Sequence, residues 1–425
     1  MPPSPWRKAV PNKTTAPTQE IAADRVLSLP YLAGVVDGVQ FAGYASVYGQ
    51  ANPRLQEGKD EELFYWFAGE ADYAARPTIL WSNGGPGSSS FWGFFLENGP
   101  YELVETHDHP VLTPRKNAWN YYANYLIFEH PLSVTLSFQA DDTDVPTNVE
   151  AGIQQLYQAL LNFIAKHPEI TKNPIILAGE SYAGTYLPLL SKAILEGNKN
   201  SPDTALKLRA TVLLDAWVNP MVQMAADTRY AFSHGLISEK QKQYLDRNFR
   251  RSQLSKINDA IQAISGAYMA NIAQTGDPPF QPILDYLNRD DVREAIHAKK
   301  GIALTDSWSA LISDLYAAHI NDSYAGVVQD LLGAGLQIII ISGLNDAKDC
   351  NFLGTGDWLN RLKGNAAEQF GVAATIQWTS GDSQQVLGYI QDGGLLSWVK
   401  VLNAGHMAVR DQPQLVNLIM KMTGL

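Results

Sequence analysis

Short apolar runs alternate with longer amphipathic stretches along most of the chain. The apolar runs are four to six residues long, which is typical of buried strands, and they lie at 63–68, 78–82, 124–128, 174–177, 210–214 and 337–342. Apolar positions with a helical period predict helices at 149–166, from about Thr185 to about Glu196, and from Pro413. Two further strands, forming a hairpin, are predicted at 374–378 and 388–401. Strands that alternate with helices indicate an α/β protein with a mainly parallel sheet flanked by helices.

The strand pattern fades between about 217 and 332, where charged segments with helical spacing take over, as at 239–245. We therefore predict a mostly helical cap inserted into the α/β core. The expected division is a loose Pro- and Thr-rich tail at 1–20, the first part of the core at 21–216, the cap at 217–332 and the second part of the core at 333–425.

Composition limits the class of protein. The chain has 425 residues, of which 45% are apolar, so a sizeable core is available. A net charge of −11 argues against nucleic acid as the main partner, and no apolar run is long enough for a transmembrane helix, so we expect no membrane partner. The single cysteine, Cys350, excludes an intrachain disulfide, and the first residues lack the apolar core of a signal peptide. These features favour a cytoplasmic location.

The first chemical motif is Gly-Glu-Ser-Tyr-Ala-Gly at 179–184, between a predicted strand and a predicted helix. A serine at such a turn is the arrangement of a nucleophile elbow, which needs small residues on both sides of the serine. Gly179 fits the first small position, while Ala183 occupies the second and Gly184 follows one residue later. By itself the motif is more typical of an ordinary strand-to-helix turn with a capping serine.

A glycine-rich loop at 83–90, Asn-Gly-Gly-Pro-Gly-Ser-Ser-Ser, follows the strand predicted at 78–82. An α/β hydrolase forms half of its oxyanion hole in such a loop, and we expect the backbone N–H groups of Gly85 and Tyr182 to hold the oxyanion. Phosphate binding is the competing interpretation, but no lysine follows with P-loop spacing.

Two later residues complete a candidate Ser-Asp-His triad in the chain order of α/β hydrolases. Asp346 follows the strand at 337–342, and His406 is the histidine that lies beyond it. Each alone is more often structural, but the three together predict that His406 takes the proton of Ser181 while Asp346 orients the imidazole. No spacing of histidines or cysteines suggests a metal, so neither a metal nor a cofactor is expected.

With these motifs the chain resembles the serine carboxypeptidase family, which implies an α/β-hydrolase fold and release of single residues from peptide C-termini. Four segments carry the likeness from about Phe41 onward, and they are 81–90, 179–184, 346–354 and 404–407. The resemblance implies that Asn83, Glu97 and Glu180 bind the terminal carboxylate of the substrate. Like charges raise each other's pKa, so such a site should bind a carboxylate best at acidic pH.

Several positions depart from the family pattern. Ser88 replaces a cysteine, so Cys350 lacks its usual disulfide partner. One extra residue separates Asp346 from Cys350, which makes Asp349 a second, weaker candidate for the acid. The segment at 129–137 has lost both of its family glycines, and since the resemblance implies that it lies near the substrate, the substrate class stays open.

Three functions compete at this point. The first is a carboxypeptidase in which water resolves the acyl-enzyme. The second is an acyltransferase or tailoring enzyme of specialised metabolism that passes the acyl group to an alcohol or amine. The altered segment and the expected cytoplasmic location favour this second hypothesis. A binding protein without catalysis is the third. The expected partner is a peptide or an acyl small molecule, and the oligomeric state is left open.

Overall fold

A computed structural model describes most of the chain. The described residues are 22–49, 61–104, 110–138, 146, 148–249, 255–301, 304, 316–348, 350–381 and 384–425. The predicted tail at 1–20 and the second acid candidate, Asp349, lie outside the described residues.

A mixed sheet of ten strands dominates the described part of the chain. Its strands, in spatial order, are β1 (Val39–Ser46), β2 (Glu62–Gly69), β6 (Asn124–Phe128), β3 (Thr78–Ser82), β7 (Ile175–Glu180), β8 (Leu208–Leu214), β9 (Gln337–Gly343), β12 (Leu396–Val401), β11 (Val386–Asp392) and β10 (Thr375–Thr379). The strands from β6 to β12 pair in parallel, and the two at each edge pair antiparallel. A separate hairpin joins β4 (Tyr101–Val104) to β5 (Val111–Pro114).

Helices cover both faces of this sheet. In the described residues they are α1 (Val149–Lys166), α2 (Ala183–Asn200), α3 (Pro220–Gln223), α4 (Asp227–Ser233), α5 (Glu239–Asn248), α6 (Ser255–Ser265), α7 (Gln281–Leu287), α8 (Asp290–Ala295), α9 (Ala325–Gly333), α10 (Phe352–Leu359), α11 (Asn365–Val372), α12 (Ala408–Asp411) and α13 (Leu415–Thr423).

The continuous apolar run of β9 is explained by burial on both sides. Ile338 and Ile340 point to the face covered by α1, α2 and α9, whereas Ile339 and Ile341 point to the face covered by α7, α8 and α13. All four side chains are inaccessible to solvent. Each buried isoleucine contributes about 1.5–3 kcal/mol to stability. The central strands are therefore firmly held, and they give the loops at their carboxyl ends fixed starting points.

In its described residues, the region between β8 and β9 consists of helices joined by turns and loops, without a strand. The helices of this region pack into different apolar clusters. The helices α4, α5 and α6 share a small apolar cluster of their own, whereas α7, α8 and α9 pack into the clusters of the main sheet. The boundaries of the predicted cap stay a prediction.

Most predicted elements are present, and some are longer or divided. The helix expected to end near Glu196 continues to Asn200. The single late strand expected at 388–401 is two strands, β11 and β12, because the chain turns at Gly393 and Gly394. Gly394 has a φ of +89°, which glycine adopts without strain.

Candidate active site

The elbow at the end of β7 holds Ser181 in a strained conformation, with a φ of +60°. The backbone around it is tied down, because Ser181 N–H donates to the Leu214 carbonyl (3.0 Å) and its own carbonyl accepts from Gly184 N–H (2.9 Å) and Trp217 N–H (2.8 Å). A Cβ on Gly179 would come within 2.3 Å of a backbone oxygen of β3. Glycine is therefore needed there, and the turn presents the serine side chain beyond the carboxyl edge of the sheet.

The glycine-rich loop lies directly against the elbow. A Cβ on Gly84 would lie 2.3 Å from the Tyr182 nitrogen, so only glycine allows this approach. Gly85 has a φ of +104°, and Gly87 N–H donates to the buried hydroxyl of Tyr186 at 3.1 Å. In the described part of the chain, neither Gly85 N–H nor Tyr182 N–H has a hydrogen-bond acceptor. Both N–H groups are therefore available to bind an oxyanion. Tyr182 also lies at the N-terminus of α2, where the helix dipole favours a negative charge.

A buried acid–base pair lies at the neighbouring strand ends. Asp346 is fully buried, and its Oδ2 lies 2.9 Å from Nδ1 of His406. The other carboxylate oxygen accepts from Lys348 N–H at 2.9 Å. His406 is also anchored through its backbone, because its N–H donates to the Ala270 carbonyl at 2.7 Å. The aspartate can therefore fix the tautomer and orientation of the imidazole, leaving Nε2 for a proton transfer.

Ser181 and His406 line one cavity of about 220 Å³, together with Asn83, Gly85 and Glu180. No hydrogen bond between the described side chains of Ser181 and His406 is present in this conformation. In free enzymes such hydrogen bonds are often long and tighten only when the substrate is bound.

Asn83 is oriented by two donors. Trp81 Nε1–H and Gly93 N–H each donate to its Oδ1 at 2.9 Å, which fixes the amide. Its Nδ2 consequently donates to Glu97 (3.0 Å) and Glu180 (2.8 Å). Glu97 ends a π-helical turn, Gly93–Glu97, and both carboxyls are almost completely buried. One amide and two carboxyls thus form a compact group beside the serine.

Burial and proximity both favour the protonated form of Glu180 in this pair of carboxyls. Burial raises the pKa of Glu180 well above its ordinary value, and the adjacent Glu97 raises it further. Burial also raises the pKa of Glu97, although its hydrogen bonds with Asn83 and Glu180 oppose the effect. Two buried like charges side by side are costly, so we expect the pair to share a proton at acidic pH.

A second cavity, of about 150 Å³, opens on the other side of Ser181. Its lining is mixed, with Trp217, Met224 and Ile320 as the large apolar side chains, and the residues are Gly85, Ser181, Tyr182, Trp217, Met224, Ile320, Asn321 and Lys348. A group bound at the serine therefore has room on both sides.

The sequence does not predict which residues support the glycine-rich loop by hydrogen bonds. Tyr186 accepts from Gly87, and Glu129 accepts from Ser89 Oγ at 2.6 Å and from Thr135 Oγ1. These residues lie in or next to segments that the sequence analysis singles out, but only their contacts reveal this support.

Of the predicted site residues, Asn83, Gly85, Glu180, Ser181 and His406 line the main cavity. The others adjoin it: Tyr182 lines the second cavity, Glu97 contacts Asn83, and Asp346 contacts His406. The structure thus brings all eight together, and their individual roles stay predictions. Cys350 is buried, and as the single cysteine of the chain it cannot form an intrachain disulfide. Among the described residues, no helix combines the length and apolar character needed to cross a bilayer.

Comparisons with known proteins match nearly the whole chain. A family model described as serine carboxypeptidase matches residues 30–275 and 267–423. Serine carboxypeptidase 3 of Hordeum vulgare is 27% identical over 429 residues, covering 95% of this chain and 81% of that protein. A serine carboxypeptidase of Dictyostelium discoideum, S10 family member 1, is 28% identical over 401 residues, covering 88% and 91% of the two chains.

Among solved structures, a prohormone-processing carboxypeptidase from Saccharomyces cerevisiae superposes with a TM-score of 0.78 at 21% identity, covering 94% of each chain. This likeness, and the central parallel sheet flanked by helices, define an α/β hydrolase, as the sequence predicts. The family match is more specific. The chain belongs to the serine carboxypeptidase family, and it is an enzyme of the hydrolase class.

Proposed function

We propose that this enzyme releases single residues from the C-termini of peptides through an acyl-enzyme on Ser181. The observation that carries the proposal is the Asn83 amide and its two carboxyls, which lie beside the serine in one cavity. A site for a terminal carboxylate next to a nucleophile selects the last peptide bond of a chain.

The proposed reaction starts when Ser181 Oγ attacks the scissile carbonyl and His406 takes its proton. The N–H groups of Gly85 and Tyr182 stabilise the oxyanion, each contributing about 10²–10³ in rate. His406 then gives the proton to the leaving amine, and water resolves the acyl-enzyme. Asp346 holds the imidazole and stabilises its charge throughout.

In this proposal the two cavities bind different parts of the substrate. The C-terminal residue occupies the larger cavity, with its carboxylate at Asn83 and at the shared proton of Glu97 and Glu180. The acyl side occupies the smaller cavity, where Trp217, Met224 and Ile320 offer apolar contacts. Because the carboxyl pair repels a carboxylate once its shared proton is lost, KM is expected to rise with pH.

The test uses N-blocked dipeptides and the same peptides with amidated C-termini. We expect release of the free C-terminal amino acid, with kcat/KM at least about 10²-fold lower for the amides because they lack the charge that the site binds. Ser181→Ala should abolish release. Full activity of Ser181→Ala, or equal rates for acids and amides, would overturn the proposal. Ester or amide formation that requires an added alcohol or amine would instead identify the acyltransferase.

A further inference from the structure

A second buried carboxyl lies beside the acid of the proposed triad. Asp215 directly follows β8 and is fully buried. Its Oδ1 accepts from Gly343 N–H at 2.8 Å, and its own N–H donates to the Ile341 carbonyl at 2.8 Å. Asp215 therefore joins the end of β8 to the end of β9, three residues before Asp346.

Gly343 contacts both of the loops that carry the acid–base pair, the one with Asp346 and the one with His406. Its carbonyl accepts from Asp346 N–H at 3.2 Å. A Cβ on Gly343 would lie 2.1 Å from the carbonyl oxygen of Gly405, the residue before His406. A shift of Gly343 would consequently move the aspartate and the histidine relative to each other.

Asp215 keeps this position at a conformational cost. Its φ is +38°, a region that side chains other than asparagine and aspartate rarely occupy. Backbone strain of this kind persists where the surrounding structure imposes it, and it is concentrated at functional sites.

The role of Asp215 does not require a charge. Burial raises the pKa of Asp215 well above its ordinary value, and the carboxylates of Asp346 and, more weakly, Asp411 add to the effect while the bond from Gly343 opposes it. Asp215 Oδ2 has no hydrogen-bond partner among the described residues. A neutral carboxyl still accepts from Gly343 N–H.

We propose that Asp215 is a positioning residue for the proposed reaction, because its Oδ1 holds Gly343 N–H and thereby fixes the turn that presents Asp346 to His406. This inference rests on the proposed function, since it assumes that Asp346 and His406 act on Ser181.

Two substitutions separate the acceptor from the charge. Asp215→Asn keeps an acceptor and tolerates the left-handed backbone, so kcat is expected within about threefold of wild type, with KM and the pH profile unchanged. Asp215→Gly removes the acceptor without backbone strain, and misplacement of the acid–base pair should lower kcat about 10- to 100-fold while KM stays within about twofold.

A matched control lies on β8, the strand that Asp215 follows. Thr211 is fully buried in β8, and its hydroxyl hydrogen-bonds Ser191 Oγ at 2.7 Å, away from the cavity. Thr211→Val should lower Tm but leave kcat unchanged. An Asp215→Gly variant whose kcat matches that of Thr211→Val would overturn the positioning role, and so would an Asp215→Asn variant with a tenfold loss or an altered pH profile. If the Gly variant does not fold, a tenfold loss of kcat or an altered pH profile in the Asn variant still overturns the positioning role.

Failure of the proposed function gives a different result. Asp346→Asn is expected to lose most of kcat, because it is the acid of the pair. Wild-type activity of Asp346→Asn would overturn the proposed triad and the role of Asp215 with it, whereas inactivity of Asp346→Asn together with full activity of Asp215→Gly would overturn only the role of Asp215.

Discussion

Replacing Glu129 by glutamine should change how the stability of this enzyme depends on pH. Glu129 follows β6, is completely buried, and accepts hydrogen bonds from Ser89 in the glycine-rich loop and from Thr135. Burial raises its pKa from 4.5 to about 7, although these two hydroxyl groups act in the opposite direction. The folded protein therefore holds a proton here that the unfolded chain releases at lower pH.

The magnitude follows from the difference between the two pKa values. One pKa unit corresponds to about 1.4 kcal/mol, so a change from 4.5 to about 7 contributes about 3 kcal/mol. Because the pKa in the folded state is raised, this contribution is complete below pH 4.5 and is lost as the pH rises through about 7. Glutamine keeps an acceptor for Ser89 and does not titrate.

The assay is urea unfolding at about pH 4 and about pH 8. Wild type should lose about 3 kcal/mol more of its free energy of unfolding between these pH values than Glu129→Gln does. Glu294→Gln, an exposed carboxylate on α8, is the control and should behave like wild type. If Glu129→Gln and wild type lost the same free energy over this range, Glu129 would be charged in the folded protein and the reasoning would be refuted.

Three further predictions concern the cavity. Gly84→Ala should lower kcat about 10²–10³-fold with little change in KM, measured by steady-state kinetics, because the added Cβ meets the Tyr182 nitrogen of the oxyanion hole. Glu180→Gln should raise KM mainly at acidic pH, where wild type offers its shared proton to the substrate; an unchanged KM profile across pH would count against this assignment. Tyr186→Phe removes the acceptor of Gly87 N–H and should lower kcat roughly tenfold at unchanged KM, whereas a fall in Tm alone would mean a purely structural role.

The sequence predicts the central strands and the helices beside them well. The strand predicted at 78–82 and the helix predicted at 149–166 have the observed bounds of β3 and α1. Apolar runs between Pro, Gly and Asn residues identify such elements because burial and turn chemistry act locally. The turn at Gly393 was missed, since apolar residues continue on both sides of it and the hairpin depends on pairing with β9.

The sequence also placed Ser181, Asp346 and His406 at loops after strands, because the carboxyl ends of parallel strands meet at one edge. Only the tertiary structure could show which side chains touch. Glu97 and Glu180 meet Asn83 from 14 and 97 residues away, and Asp215 meets Gly343 from 128 residues away. No local pattern encodes such contacts, because they depend on how the strands are ordered in the sheet. The order of the strands, the burial of Glu97 and Glu180 beside Asn83 and the strained Asp215 are therefore properties of the folded chain.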